Sequence, residues 1–162
     1  MNEYELRAYE LVLHKYPEPE WIVIPQVRIS TGYEMIYGGD RVIDFFVINM
    51  YPSEDHKCIA IEFKQSMGDF IKDVRDPLKH SAIKMYSDEF YYLLTNDLFK
   101  KVKSDAMLTS LSVKYCAGIM YVDDVADIKT YRKNHRKQPK VPFAFGFICS
   151  LVRNAKKWKD LS

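Results

Sequence analysis

The sequence lacks most of the features that would mark a membrane, secreted or metal-clip protein. No apolar run is long enough to cross a bilayer, so no membrane association is expected. The opening MNEYELRAYE is polar and acidic and does not read as a secretory signal. There are only three cysteines, Cys58, Cys116 and Cys149, and no CxxC pair, which argues against a disulfide framework and a cysteine-built zinc site. A reducing cytoplasm is the expected setting. Neither GxSxG nor HExxH occurs, so the nucleophile-elbow and helical zinc-peptidase patterns are missing. The glycines of GYEMIYGGDR do not form a phosphate-binding loop; that stretch reads as a turn. There is no internal repeat and no low-complexity linker.

What is present is a globular composition. Across 162 residues, 48% are hydrophobic and 14% aromatic, enough for one domain, residues 1–162, with a real core. The net charge is only +2 but is unevenly spread. Residues 1–128 hold 14 Lys/Arg against 21 Asp/Glu, a balance of −7. Residues 129–162 hold ten Lys/Arg against Asp160 alone, a balance of +9. A basic segment on an acidic body is either the footprint of a polyanionic partner or a solvated tail.

Periodicity and punctuation give an α/β order. Leu6, Tyr9, Leu13 and Tyr16 recur at helical spacing in 3–16, and YPEP closes that helix. WIVIPQVRIS is extended, with Pro25 indicating an edge or a bulge. RVIDFFVINM and CIAIEFK are strongly apolar strands joined by the polar turn YPSEDHK, and the pattern predicts a hairpin. Ser66 and Asp69 have capping-box spacing for a helix that stops near Asp76-Pro77. Asp76 and Pro77 start another helix, carrying Leu78, Ala82 and Met85 inward. EFYYLLT, AGIMYVD and, more weakly, ADIKTYRKN read as strands, and FAFGFICSLVRNAKKWK as a final helix with a basic end. The expected architecture is a mixed β-sheet flanked by helices.

Against that background, the charges in two apolar strands stand out. Side chains alternate along a strand, so Ile59, Ile61 and Phe63 face the core, and Ala60, Glu62 and Lys64 face the other way. Glu62 and Lys64 then lie about 6–7 Å apart, at roughly 3.3 Å per residue. The preceding strand places Asp44 within Val42-Ile43-Asp44-Phe45-Phe46, and a hairpin brings it towards Glu62. Two carboxylates meeting in a partly dry site repel unless a cation lies between them, and Mg2+ takes such oxygen ligands. The competing reading is a plain Glu62–Lys64 ion pair, with Asp44 paired to Arg41 or capping a turn.

The combination Ile43-Asp44, then Glu62-Phe63-Lys64, resembles the PD-(D/E)xK nuclease superfamily, with Ile43 where the family name has proline. The run EFKQSMGDFIKDVRDPLKHSAIKMYSDEFYYLL is similar to the MmcB-like DNA-repair branch through Lys64, Ser66, Asp69-Phe70, Asp73, Lys79-His80 and Asp88-Glu89-Phe90-Tyr91. The likeness covers most of 3–128 and is most specific from 41 to 94.

The resemblance implies a restriction-endonuclease-like fold and a metal-dependent nuclease, with DNA as its partner. It implies that Asp44, Glu62 and the Phe63 backbone carbonyl hold Mg2+ or Mn2+, and that Lys64 positions the attacking water. It also implies a helical glutamate before the first strand. Glu5 is chosen over Glu3 and Glu10 because it falls within the arc of Leu6, Tyr9, Val12 and Tyr16. Lys79 matches the branch's basic position and, with Arg132, Lys133, Arg136, Lys137 and Lys140, is expected to contact nucleic acid. His80 reads as a surface histidine, and Asp69 as a first-turn carboxylate favouring the helix dipole. Many relatives of this fold work as dimers, so a homodimer is compatible with the resemblance. Two rival classes stay open: a non-catalytic nucleic-acid-binding module on the same fold, and an interaction domain, of phage or mobile-element type, whose acidic body mimics DNA.

Overall fold

The computed structural model describes residues 2–29, 41–54, 56–103, 117–134 and 151. Helix α1 (Glu3–Lys15) opens with a capping box: the Asn2 side chain accepts from the Glu5 N–H, and the Glu5 carboxylate accepts from the Asn2 N–H. Strands β1 (Trp21–Ile29) and β2 (Arg41–Asn49) follow, then a 3-10 turn over Pro52–Glu54 and β3 (Cys58–Lys64). Helices α2 (Met67–Val74) and α3 (Pro77–Tyr86) lead to β4 (Glu89–Leu94). Helix α4 (Asn96–Val102), β5 (Gly118–Val122) and β6 (Ile128–Arg132) complete the described elements. The caps expected at Ser66 and Asp76 both form. Helix α4, capped by Thr95, has no counterpart in the sequence reading.

The six strands lie in chain order. β1, β2 and β3 pair antiparallel, β3, β4 and β5 pair parallel, and β6 returns antiparallel. The sheet is therefore mixed, as expected, and Pro25 lies in its edge strand β1, where a missing N–H is tolerated.

Both faces of the sheet are covered, which corrects the one-sided core read from β3. Parallel neighbours require helical crossovers, and these bury the second face. On one face α1 contributes Ala8, Val12 and Tyr16 against Phe45, Ile59, Ile61, Phe63 and Leu93. On the other, Phe70, Val74 and Ile83 from α2 and α3 pack against Phe46, Ala60 and Tyr92. All seven residues of β3 are buried.

Two inward arcs differ from expectation. In α1 the buried arc runs through Ala8 and Val12, while Leu6 and Leu13 are exposed. In α3 it runs through His80, Ile83 and Tyr86, while Leu78 and Met85 face solvent. Both helices carry apolar residues on more than one arc, and the sheet's contacts decide which arc is covered. The expected final helix lies outside the described residues except for Leu151, which is helical and buried.

Candidate active site

The site begins where the sheet opens. The β2–β3 ladder runs from Ile48↔Cys58 to Phe45↔Ile61 and stops short of Asp44. Across β2, the β1 ladder passes over the Gln26/Asp44 position, and Gln26 has a φ of 52°. Facing is disturbed there in both strands. Ile24 shares a cluster with Val27, and Phe46 with Ile43, although an odd separation would put them on opposite faces of a regular strand. Asp44 thus sits at an interruption, and its Oδ2 accepts from the Phe63 N–H at 2.9 Å in place of a ladder partner. One residue on, the Lys64 carbonyl accepts from the Thr95 N–H at 3.2 Å, so Lys64 turns its backbone to the β4 side. Backbone groups alternate sides along a strand. The Phe63 carbonyl therefore faces the same opening as Asp44.

Around this opening five side chains form one ionic cluster. Glu62 Oε2 accepts from Lys64 Nζ at 3.1 Å and from Lys79 Nζ at 2.6 Å. Asp73 Oδ2 accepts from the same two ammoniums, at 2.7 Å each. Asp44 Oδ2 lies 3.7 Å from Lys64 Nζ. Glu62 is fully buried, whereas the Asp44 side chain is one-third exposed, so the cluster reaches solvent past Asp44. The Glu62–Lys64 ion pair of the competing reading exists, but as one edge of this larger arrangement. Arg41 pairs with Asp76 at 3.0 Å, not with Asp44.

Burial sets the electrostatics. It pushes Glu62 above the ordinary carboxylate range, and the Asp44 carboxylate adds to the rise, while the Lys79 and Lys64 ammoniums at 2.6 and 3.1 Å pull the other way and favour the ionised form. Burial works against the charge on Lys64, but Glu62, Asp44 and Asp73 overcome it and hold the ammonium well above its ordinary range. Lys79 is raised in the same way, burial and Lys64 being outweighed by Glu62 and Asp73. Asp73 is lowered because the two lysines outweigh its own burial.

Two members of the neighbourhood escaped the sequence reading. Asp73 enters the sequence reading only as one residue of the MmcB-like run, with no role assigned to it. Its signal was a carboxylate in the last turn of a helix, where the dipole disfavours it unless something else holds it. His80 is not on the surface, contrary to expectation; it is 2% exposed. Its Nε2 lies 3.1 Å from the Asp73 carbonyl, which can only accept, so Nε2 carries the proton. The Tyr92 hydroxyl lies 3.2 Å from the same nitrogen. Burial pushes His80 down to about 4, so the ring is neutral at physiological pH.

Of the other expected residues that the structure describes, Lys79 joins the cluster and the rest stand apart from it. Glu5 lies on the inward arc of α1, but its carboxylate closes the capping box and its helix packs on the opposite face of the sheet. Lys79 was expected to meet phosphate; its ammonium is spent on Glu62 and Asp73. Arg132 ends β6, three strands from β3, and Lys133 follows it, exposed. Arg136, Lys137 and Lys140 lie outside the described residues. Asp69 accepts from the Ser66 hydroxyl at the start of α2, as a first-turn carboxylate does.

Among the described residues, no three His, Cys, Asp or Glu side chains are gathered to hold a metal unaided. The donor set on offer is smaller and harder: the Asp44 and Glu62 carboxylates with the Phe63 carbonyl. Glu62 Oε1 is buried with no hydrogen-bond partner among the described residues. Oxygen donors and an unmet buried acceptor fit a hard divalent cation that keeps part of its water shell. No helix among the described residues is long and apolar enough to cross a membrane. The chain matches no protein-family model and no curated protein.

Proposed function

We propose that the protein is a Mg2+- or Mn2+-dependent nuclease of the PD-(D/E)xK kind, hydrolysing phosphodiester bonds in DNA on a restriction-endonuclease-like fold. The observation that carries this reading is the convergence of Asp44, Glu62 and Lys64 where β2 and β3 part. Asp44, Glu62 and the Phe63 carbonyl would hold the cation. A divalent ion bound there supplies a water of lowered pKa and screens the scissile phosphate. Lys64 is too strongly held as an ammonium to act as a base; it donates hydrogen bonds, orienting water or stabilising charge on phosphoryl oxygens. The basic segment from Lys129 onward grips backbone phosphates without reading sequence. DNA repair, recombination or mobile-element processing in the cytoplasm would use such an activity.

The test is cleavage by the purified full chain, with Mg2+ or Mn2+, of linear, nicked, flapped and branched DNAs. Cutting is expected to require the metal and to disappear in Asp44→Asn and Lys64→Ala chains that still unfold cooperatively. One observation favours a second reading, a nucleic-acid-binding module without catalysis: both lysines of the cluster are already engaged by its carboxylates. Salt-sensitive DNA binding that ignores Asp44→Asn, with no cleavage of any substrate, would establish that alternative.

A further inference from the structure

The two oxygens of Glu62 have different fates. Oε2 accepts from two ammoniums, Lys64 at 3.1 Å and Lys79 at 2.6 Å. Oε1 is buried and has no hydrogen-bond partner among the described residues. Asp73 Oδ2 closes the arrangement by accepting from both lysines at 2.7 Å, so two carboxylates and two ammoniums alternate in a ring. Half of this ring comes from the sheet and half from the crossover, with Asp73 at the end of α2 and Lys79 at the start of α3.

Lys79 is fixed at both ends. Its backbone N–H donates to the capping Asp76 Oδ1 at 3.1 Å, and the other Asp76 oxygen pairs with Arg41 on β2. The junction is tied again by His80 Nε2, which donates to the Asp73 carbonyl. A lysine serving only as a phosphate grip would leave its ammonium in solvent. This side chain is 14% exposed, and both its contacts are carboxylates.

We propose that Lys79, braced by Asp73, is a positioning residue that commits Glu62 Oε2 to the protein and so presents Oε1 to the divalent cation. The assignment rests on the metal reading above. It explains why an acceptor is left unmet in a dry place, an unfavourable state that a cation ligand resolves. It also makes Lys79 an outer-shell partner of the cation, acting through Glu62 rather than on substrate.

The experiment titrates Mn2+ alone into the full chain by calorimetry, for the wild type and for Lys79→Met, Asp73→Asn and Asp44→Asn. Losing an outer-shell partner weakens metal binding by roughly 10- to 100-fold, and Lys79→Met is expected in that range. Asp73→Asn, which loosens Lys79 without removing it, should move in the same direction by less, and serves if Lys79→Met does not fold. In the cleavage assay the half-saturating Mg2+ concentration should rise in Lys79→Met far more than the rate at saturating metal falls. Wild-type Mn2+ affinity in a folded Lys79→Met chain would overturn the proposal, and so would wild-type affinity in Asp73→Asn. No Mn2+ binding by the wild type, or equal binding by Asp44→Asn, would instead overturn the metal reading beneath it.

Discussion

On one face of β3, Ile59, Ile61 and Phe63 pack under α1; on the other, Glu62 and Lys64 meet Asp73 of α2 and Lys79 of α3. Both faces are equally dry, since every residue of the strand is buried. The apolar face gains from burial directly. The ionic face loses solvation, and offsets that loss by placing an opposite charge within about 3 Å of each buried group. One strand thus separates a face that serves the fold from a face whose composition the fold alone does not require. Buried ion clusters are seldom the most stabilising choice for a core, so stability alone does not account for this face.

Lys64→Ala should break the contrast hardest. It removes the ammonium shared by Glu62, Asp73 and Asp44, leaving buried carboxylates short of a partner, at a cost of about 3–5 kcal/mol. Replacing the whole ring should act in the opposite sense. A chain carrying Glu62→Leu, Lys64→Met, Asp73→Leu and Lys79→Met makes this face resemble the other one. Its stability should be unchanged or raised by about 1–4 kcal/mol, with Mn2+ binding gone. Urea unfolding of both chains decides the matter; if the apolar replacement collapses, the cluster is a structural necessity and the contrast is wrong.

A smaller effect separates the ring from the histidine behind it. His80 takes a proton near 6.5 when unfolded but stays neutral to about 4 when folded, because burial outweighs the raising influence of the Asp73 carbonyl. Between those values the unfolded state binds more protons at this site, so the His80 contribution is lost as pH drops from 6.5 to 4. At 1.36 kcal/mol per unit the full loss is about 3 kcal/mol. Glu62 has the opposite sign. Burial raises its folded value above 4.5, which keeps a proton on the native state longer, so its contribution declines as pH rises above 4.5. Between 4.5 and 6.5 the two contributions oppose each other, so His80→Gln should leave stability falling as pH rises across that window and should not change its slope above 6.5, as read from unfolding free energies across pH.

Much of this was legible in the chain because the signals are local. Asp44 and the Glu62-x-Lys64 spacing lie in apolar strands where a charge is conspicuous, and Ser66 and Asp76 precede helices in positions that only caps explain. The hairpin was expected from the polar turn between the two strands, and β2 and β3 do pair antiparallel. The partners of Asp73 and Lys79 and the burial of His80 were not legible because they depend on how the crossover settles on the sheet. No spacing within α2 or α3 states which residues of β3 will lie beneath them. Glu5 stands apart from the cluster for a related reason: periodicity puts it on the inward arc but does not say which face of the sheet that arc covers, and the capping box engages its carboxylate. Helix α4 was passed over because seven residues offer too little periodicity to register.

The least disruptive change tests where the ionic face ends. Periodicity alone turned Leu78 and Met85 of α3 inward, yet they are 41% and 43% exposed while Ile83 is 1% exposed. Seven residues apart, Leu78 and Met85 share one arc, and the ring binds Lys79 on another. Lysine has a helix propensity close to those of leucine and methionine, so neither Leu78→Lys nor Met85→Lys disturbs the backbone. Each should shift stability by no more than about 0.5 kcal/mol, as surface substitutions do. Ile83→Ala on the buried arc should cost about 2–5 kcal/mol by the same measurement. A large loss from Leu78→Lys, with little from Ile83→Ala, would mean that α3 lies on the sheet by its other arc. Lys79 could not then reach Glu62, and the ionic face of β3 would lose half its ring.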